Sequence, residues 1–178
     1  ARAGGAGRCQ RGMPPRVLDE ALVGVVVSCV NAVGVDVNTA SPALFQRVAG
    51  LTASTAKNVV AYREANGPFT ARRQILKVPK LGPKAFEQCA GFLRVPESQN
   101  VLDNTAVHPE SYDAAQQLLA LCGYTLEDVA QRRIGELPAR VKAYGEARAA
   151  AAIGVGEPTL RDIVRELAEE CHRQGLRV

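Results

Sequence analysis

An all-α fold is what this 178-residue sequence predicts, and three observations predict it. Apolar residues recur at helical spacing along most of the chain, while the alternating runs of half-buried strands are almost missing. Helix boundaries are marked by caps, prolines and glycines, as at Ser41-Pro42 and Gly67-Pro68. Residues 45–90 state one pattern twice: Val48 aligns with Val78, Leu51 with Leu81, Lys57 with Glu87 and Val59 with Cys89, always thirty positions apart. A fixed period of that size marks one supersecondary unit used more than once.

The elements follow in order. Leu18, Leu22, Val26, Cys29, Val30 and Val33 step along one face, so a leading helix over residues 18–33 is expected to pack on the repeat and to end at Gly34. Ser41-Pro42 supplies a cap and a first turn for a helix into Ala49. Thr52 caps a helix from Ala53 to about Asn66, which Gly67-Pro68 stops. Thr70 opens a helix ending near Val78, and Pro83 opens one running to about Phe92. Beyond the break at Val95-Pro96, His108-Pro109 starts a helix to Leu121 that Gly123 closes. Thr125 caps residues 126–131, and Pro138 begins Ala-rich helical material through Ala152. The expected division is a poorly ordered segment at 1–15, a leading helix at 16–34, a tandem domain at 35–95, a connector at 96–104 and a small C-terminal helical region at 105–178.

Each copy of the repeat reads as helix, tight turn around a buried Leu, and second helix: a helix-hairpin-helix. A helix N-terminus carries unpaired N–H groups and the positive end of the dipole, so it attracts anions without a charged side chain. The turn must bring backbone close to the anion, which favours glycine on either side of a plugging hydrophobe. The first turn is Gly50-Leu51-Thr52 and the second Lys80-Leu81-Gly82, each keeping one of the two glycines. Candidate phosphate-binding residues are therefore Gly50, Leu51, Thr52, Ala53 and Lys57 in the first copy, and Lys80, Leu81, Gly82, Pro83 and Lys84 in the second. The second is expected to dominate, because Gly82 leaves room for a phosphate that the Thr52 side chain crowds, and two lysines flank it.

Charge distribution points the same way. The net charge of +4 hides a split: residues 35–95 carry +6 and residues 96–178 carry −4. A cationic face on the repeat is the electrostatic footprint of a phosphate-binding surface. The five cysteines are far apart and odd in number, which points to a reducing cytoplasm, and no apolar run reaches the ~20 residues of a membrane span. Tyr, Phe and Trp are too few for a base-stacking sheet.

Several runs resemble a known family. Asn38-Thr-Ala-Ser41, the first turn, Ala61-Tyr-Arg-Glu-Ala-Asn-Gly-Pro-Phe69 and the second turn resemble the tandem helix-hairpin-helix domain shared by bacterial competence DNA receptors and the Tex family of transcription accessory proteins. Leu18-Asp-Glu-Ala-Leu22, Cys29-Val-Asn-Ala-Val-Gly-Val-Asp36, Lys84-Ala-Phe-Glu-Gln-Cys-Ala-Gly-Phe92 and Val107-His-Pro-Glu-Ser-Tyr112 are similar to Tex in particular, over about residues 13–167. The additional runs favour Tex over a secreted receptor. The resemblance implies an RNase-H-like domain upstream and an OB-fold RNA-binding domain downstream, so the chain is expected to be an internal segment of a longer protein. Residues 1–11 and 171–178 depart from the family pattern.

A third turn, Gly154-Val155-Gly156, has both glycines, but Glu157 and Asp162 follow it, and acid at a helix N-terminus repels phosphate. It reads as a packing turn. Catalysis is not expected. Glycosylases with this hairpin resemble one another in placing an Asp shortly after it, and residues 83–95 contain none. His108 precedes a proline at a helix start, and no His/Cys cluster has metal-ligand spacing. The expected function is sequence-independent binding of RNA or DNA through the phosphate backbone, as part of a Tex-like transcription accessory protein. Expected partners are nucleic acid and the transcription or translation machinery, with no cofactor, metal, membrane or small-molecule substrate. The alternative is a helical protein–protein interaction module.

Overall fold

The structure is a computed structural model that describes residues 15–172. The expectations for residues 1–14 and for the tail after His172 lie outside that range. In chain order the elements are α1 (Pro15–Val33), β1 (Val35–Asp36), α2 (Pro42–Phe45), α3 (Ala53–Asn66), a 3-10 helix (Arg72–Lys77), α4 (Pro83–Cys89) and β2 (Leu93–Arg94). Three further 3-10 turns (Ala90–Phe92, Val101–Asn104, Pro109–Ser111) punctuate the chain, and α5 (Tyr112–Leu121), α6 (Leu126–Ala130), α7 (Leu137–Tyr144), α8 (Glu146–Ile153) and α9 (Glu157–His172) complete it. The fold is all-α, with one parallel ladder of two residues per strand, Val35 opposite Leu93 and Asp36 opposite Arg94. That ladder ties the two ends of the repeat together.

Two hydrophobic clusters form. The first gathers Phe45, Val48, Leu51, Val59, Phe69, Ile75, Val78, Leu81, Phe86 and Cys89 around the tandem hairpins. Burial pushes the Cys89 thiol up to about 12, so it serves as a small hydrophobe. The second runs from Leu102 through Leu118, Ile134, Leu137 and Ile153 to Leu167.

Several sequence expectations are corrected. Thr70 does not cap a helix. The segment is a 3-10 helix whose buried residues, Arg72, Ile75 and Val78, recur every three positions and so match its three residues per turn. Thr70 is engaged instead by Gln74, which accepts from the Thr70 N–H and donates to its hydroxyl. The helix after Pro42 stops at Phe45 rather than Ala49, because Arg47 and Val48 donate to carbonyls three residues back and tighten the chain. The Ala-rich stretch after Pro138 is broken at Gly145, whose φ of +100° suits glycine, giving two helices packed on each other. Among the described side chains of the leading helix, residues 22–33, those that meet the repeat lie in its last turns. Val30 is buried, whereas Leu22, Val23, Val25, Val26 and Cys29 are exposed.

The caps at Ser41, Thr52 and Thr125 form as the sequence predicts, with capping boxes at Thr52 and Thr125. His108 also caps its turn, its ring nitrogen accepting from the Glu110 N–H. At the third turn, Val155 donates to Ala150 and Gly154 to Ala151, a Schellman closure with Gly154 at φ +71°. Arg161 then pairs with both Glu146 (2.8 Å) and Glu157 (3.0 Å), so the acid there is matched within the chain.

Candidate nucleic-acid interface

The two turns adopt one backbone conformation thirty residues apart. Gly50 (φ +83°) and Lys80 (φ +65°) both sit in the left-handed region. Leu51 and Leu81 donate to Val48 and Val78, each at 3.2 Å, and both side chains are buried. Thr52 (φ −98°, ψ 168°) and Gly82 (φ −78°, ψ 169°) occupy equivalent N-cap positions of α3 and α4. Leu51 and Leu81 are therefore buried plugs between helices that hold the turns in shape.

Each turn is supported by the other hairpin. Asn58 on α3 donates its side-chain amide to the Pro79 carbonyl at 2.8 Å, just before the second turn. Gln88 on α4, thirty positions from Asn58, lies against the first turn. A Cβ on Gly50 would come within 2.6 Å of the Gln88 Cβ. This reciprocal crossing is what a pseudo-two-fold pair requires. Sequence reading missed both Asn58 and Gln88, although the offset that aligns the turns also aligns them.

The turns differ in the donors they leave open. At the first, the Thr52 N–H donates to the Thr55 hydroxyl (2.8 Å) and the Thr55 N–H to the Thr52 hydroxyl (3.3 Å). Only the N–H groups of Ala53 and Ser54 then remain in the opening turn, since Ala56 already donates to the Thr52 carbonyl. At the second, Gly82 has no side chain to cap with, and the helical ladder starts with Phe86 donating to Gly82. The N–H groups of Gly82, Lys84 and Ala85 remain, while Pro83 has none. Gly82 has no heavy atom within 4 Å of an added Cβ, so the approach to these donors is open.

The cations are also sorted by the fold. Lys57, Arg73, Lys77, Lys80 and Lys84 are exposed. Arg63 is half-buried and donates to the Val37 carbonyl at 2.9 Å, and Arg94 is buried. Arg72 is fully buried, and it leaves the cationic face altogether. Its guanidinium donates to the carbonyls of Asp103 (3.0 Å), Thr105 (2.6 Å) and Val107 (2.7 Å) and to the Tyr112 hydroxyl (2.8 Å). Tyr112 in turn donates to the Asp103 carboxylate (2.7 Å), which also accepts from the Arg72 N–H. Burial pulls the Arg72 pKa down, while Tyr112 and Asp103 oppose that shift. One signal does point inward: Arg72 stands thirty positions after Pro42, in register with the apolar series Ile75, Val78 and Leu81.

Comparisons with known proteins fit this geometry. Residues 30–94 match the family model described as a helix-hairpin-helix motif, and residues 100–171 match a second described as an HHH domain. The latter covers the C-terminal helices, including the turn between α8 and α9. Protein YhgF of Escherichia coli (strain K12) is 44% identical over 163 residues, covering 92% of this chain and 20% of the relative. Protein tex of Bordetella pertussis is 44% identical over 166 residues, covering 93% and 20%. Transcriptional accessory protein Tex of Neisseria gonorrhoeae is 42% identical over 163 residues, covering 92% and 21%. The chain spans about a fifth of the length of these relatives.

Proposed function

The chain belongs to the Tex family, and from that premise we propose that it binds nucleic acid through the phosphate backbone, without reading base sequence in a duplex. The observation that carries this reading is the pair of turns with matching backbone angles, each opening a helix N-terminus toward solvent. Backbone N–H groups of Ala53 and Ser54, and of Gly82, Lys84 and Ala85, are the phosphate donors, and Lys57, Lys80 and Lys84 supply charge. Leu51, Leu81, Gly50 and Pro83 shape the turns. Phosphate contacts position a protein on its ligand and carry no base information. The role is binding and not catalysis, within the cytoplasmic transcription or translation machinery. Among the described residues no group of His, Cys, Asp and Glu is suited to hold a metal, and no helix is long and apolar enough to cross a membrane.

Fluorescence anisotropy with several unrelated 20-base-pair duplexes of DNA and RNA tests the proposal. Dissociation constants in the ~10⁻⁴ to 10⁻⁶ M range of non-specific binding, equal across sequences, are expected. A strong preference for one duplex sequence contradicts backbone readout. Absence of binding at low salt supports a protein–protein module instead, for which the exposed apolar residues of α1 are the natural surface.

A further inference from the structure

The cations of the second hairpin do not stop at its turn. Arg73, Lys77, Lys80 and Lys84 are all exposed, and no acidic residue occurs between Glu64 and Glu87. Arg73 and Lys77 stand on the 3-10 helix, about 8 Å apart along its axis and about 120° apart around it, so they flank its exposed side and make the stripe a broad one. At the Arg73 end this stripe meets a cleft of about 750 Å³ between the tandem repeat and the start of α5, lined in part by Glu97, Gln99, Asn100, Asp113 and Gln116. That size falls within the ~300–1,000 Å³ of small-molecule sites.

We propose that this cleft receives an unpaired nucleobase from a single strand whose phosphates follow the stripe, and that it favours bases bearing an exocyclic amino group. The inference rests on the phosphate-binding reading above and adds a second, base-directed site to it. Primary amides present a donor and an acceptor together, which is the chemistry a base edge requires. Gln99 and Gln116 are exposed and make no hydrogen bond within the described chain, so their amides face the cleft uncommitted. Asn100 spends its carbonyl oxygen capping the Leu102 N–H and keeps its amino group. The Arg73 guanidinium is planar and cationic, suited to stacking on a base while the adjoining phosphate lies on the stripe.

The carboxylates set the preference. Ionised Asp113 only accepts hydrogen bonds, and Glu97 is already held by the Asn38 amide at 3.0 Å. Acid in the cleft repels phosphate, so the backbone stays on the lysines and only the uncharged base enters. The amino groups of cytosine, adenine and guanine complement Asp113, whereas uracil and thymine present a carbonyl where cytosine has its amino group. A paired, stacked base cannot enter the cleft without being extruded from the duplex, so duplex binding stays blind to sequence.

The test is binding of labelled C8 and U8 RNA, and of dC8 and dT8 DNA, to the 178-residue chain at neutral pH and low salt, repeated with Asp113→Asn and Gln116→Ala. The cytosine oligomers should bind about fivefold tighter, the worth of one net hydrogen bond. Asp113→Asn should abolish that preference while leaving the affinity for U8 and dT8 no weaker, and Gln116→Ala should reduce it. Equal affinity for cytosine and uracil oligomers, or a preference untouched by both variants, overturns the cleft assignment while leaving phosphate binding standing. If neither oligomer binds in a salt-dependent way, the phosphate reading fails and this inference fails with it.

Discussion

Gly50 and Lys80 hold the same left-handed conformation at matching points of the two turns, and the residue chosen at each reflects what lies beside it. At Gly50 a side chain is excluded twice, by φ of +83° and by the Gln88 Cβ that an added methyl would meet at 2.6 Å. At Lys80 the same backbone is kept at a cost of about 1–2 kcal/mol for an L-residue, and a cation stands at the turn in exchange. Gly82 differs from both. Its φ of −78° is open to any residue, and its surroundings are empty, so glycine serves there by what it leaves uncovered. Gly50→Ala should therefore lower stability by about 2 kcal/mol, from left-handed strain alone before the contact is relieved. Gly82→Ala should cost under about 1 kcal/mol, the difference in N-cap preference. Urea unfolding midpoints check both, and a Gly82→Ala loss equal to that of Gly50→Ala would show that the second turn needs glycine for its fold.

The two turns are equivalent as backbone and unequal as binding elements. The first closes two of its opening N–H groups in a capping box between Thr52 and Thr55, which stabilises α3 but removes donors from the turn. The second leaves Gly82, Lys84 and Ala85 free to donate and places Lys80 and Lys84 on either side. Lys84→Glu should weaken binding roughly tenfold, equivalent to ~1.4 kcal/mol, and should flatten the salt dependence. Lys57→Glu, about one helical turn beyond its N-terminus, should cost about threefold or less, since the dipole's influence fades within the first turn. The comparison is made by anisotropy on one duplex, with circular dichroism confirming that both variants are folded. The opposite ranking would move the principal contact to the first turn. The second hairpin's own first helix was the harder element to foresee. Its period of three is readable in Arg72, Ile75, Val78 and Leu81, yet the cap residue Thr70 and the charge on Arg72 both suggest an ordinary solvated α-helix.

At the scale of the molecule, Arg72 joins two hydrophobic clusters that separate helix-hairpin-helix family models match. Its guanidinium lies in the first unit and reaches three carbonyls and one hydroxyl beyond residue 102. The all-α class, the repeat and the equivalence of Leu51 and Leu81 are legible in the sequence because periodicity and a constant offset are local signals. The partners that Arg72 reaches, the β1–β2 ladder and the slight docking of α1 depend on which segments meet in three dimensions. No spacing rule contains that. The cationic face survives the loss of Arg72 and Arg94 because Lys57, Arg73, Lys77, Lys80 and Lys84 all remain in solvent. Whether that face grips phosphate is tested most directly by titrating salt against duplex DNA binding. If about four phosphates are neutralised, log K falls with log salt at a slope near −3.6, from ~0.9 per phosphate. A slope indistinguishable from zero would contradict the account.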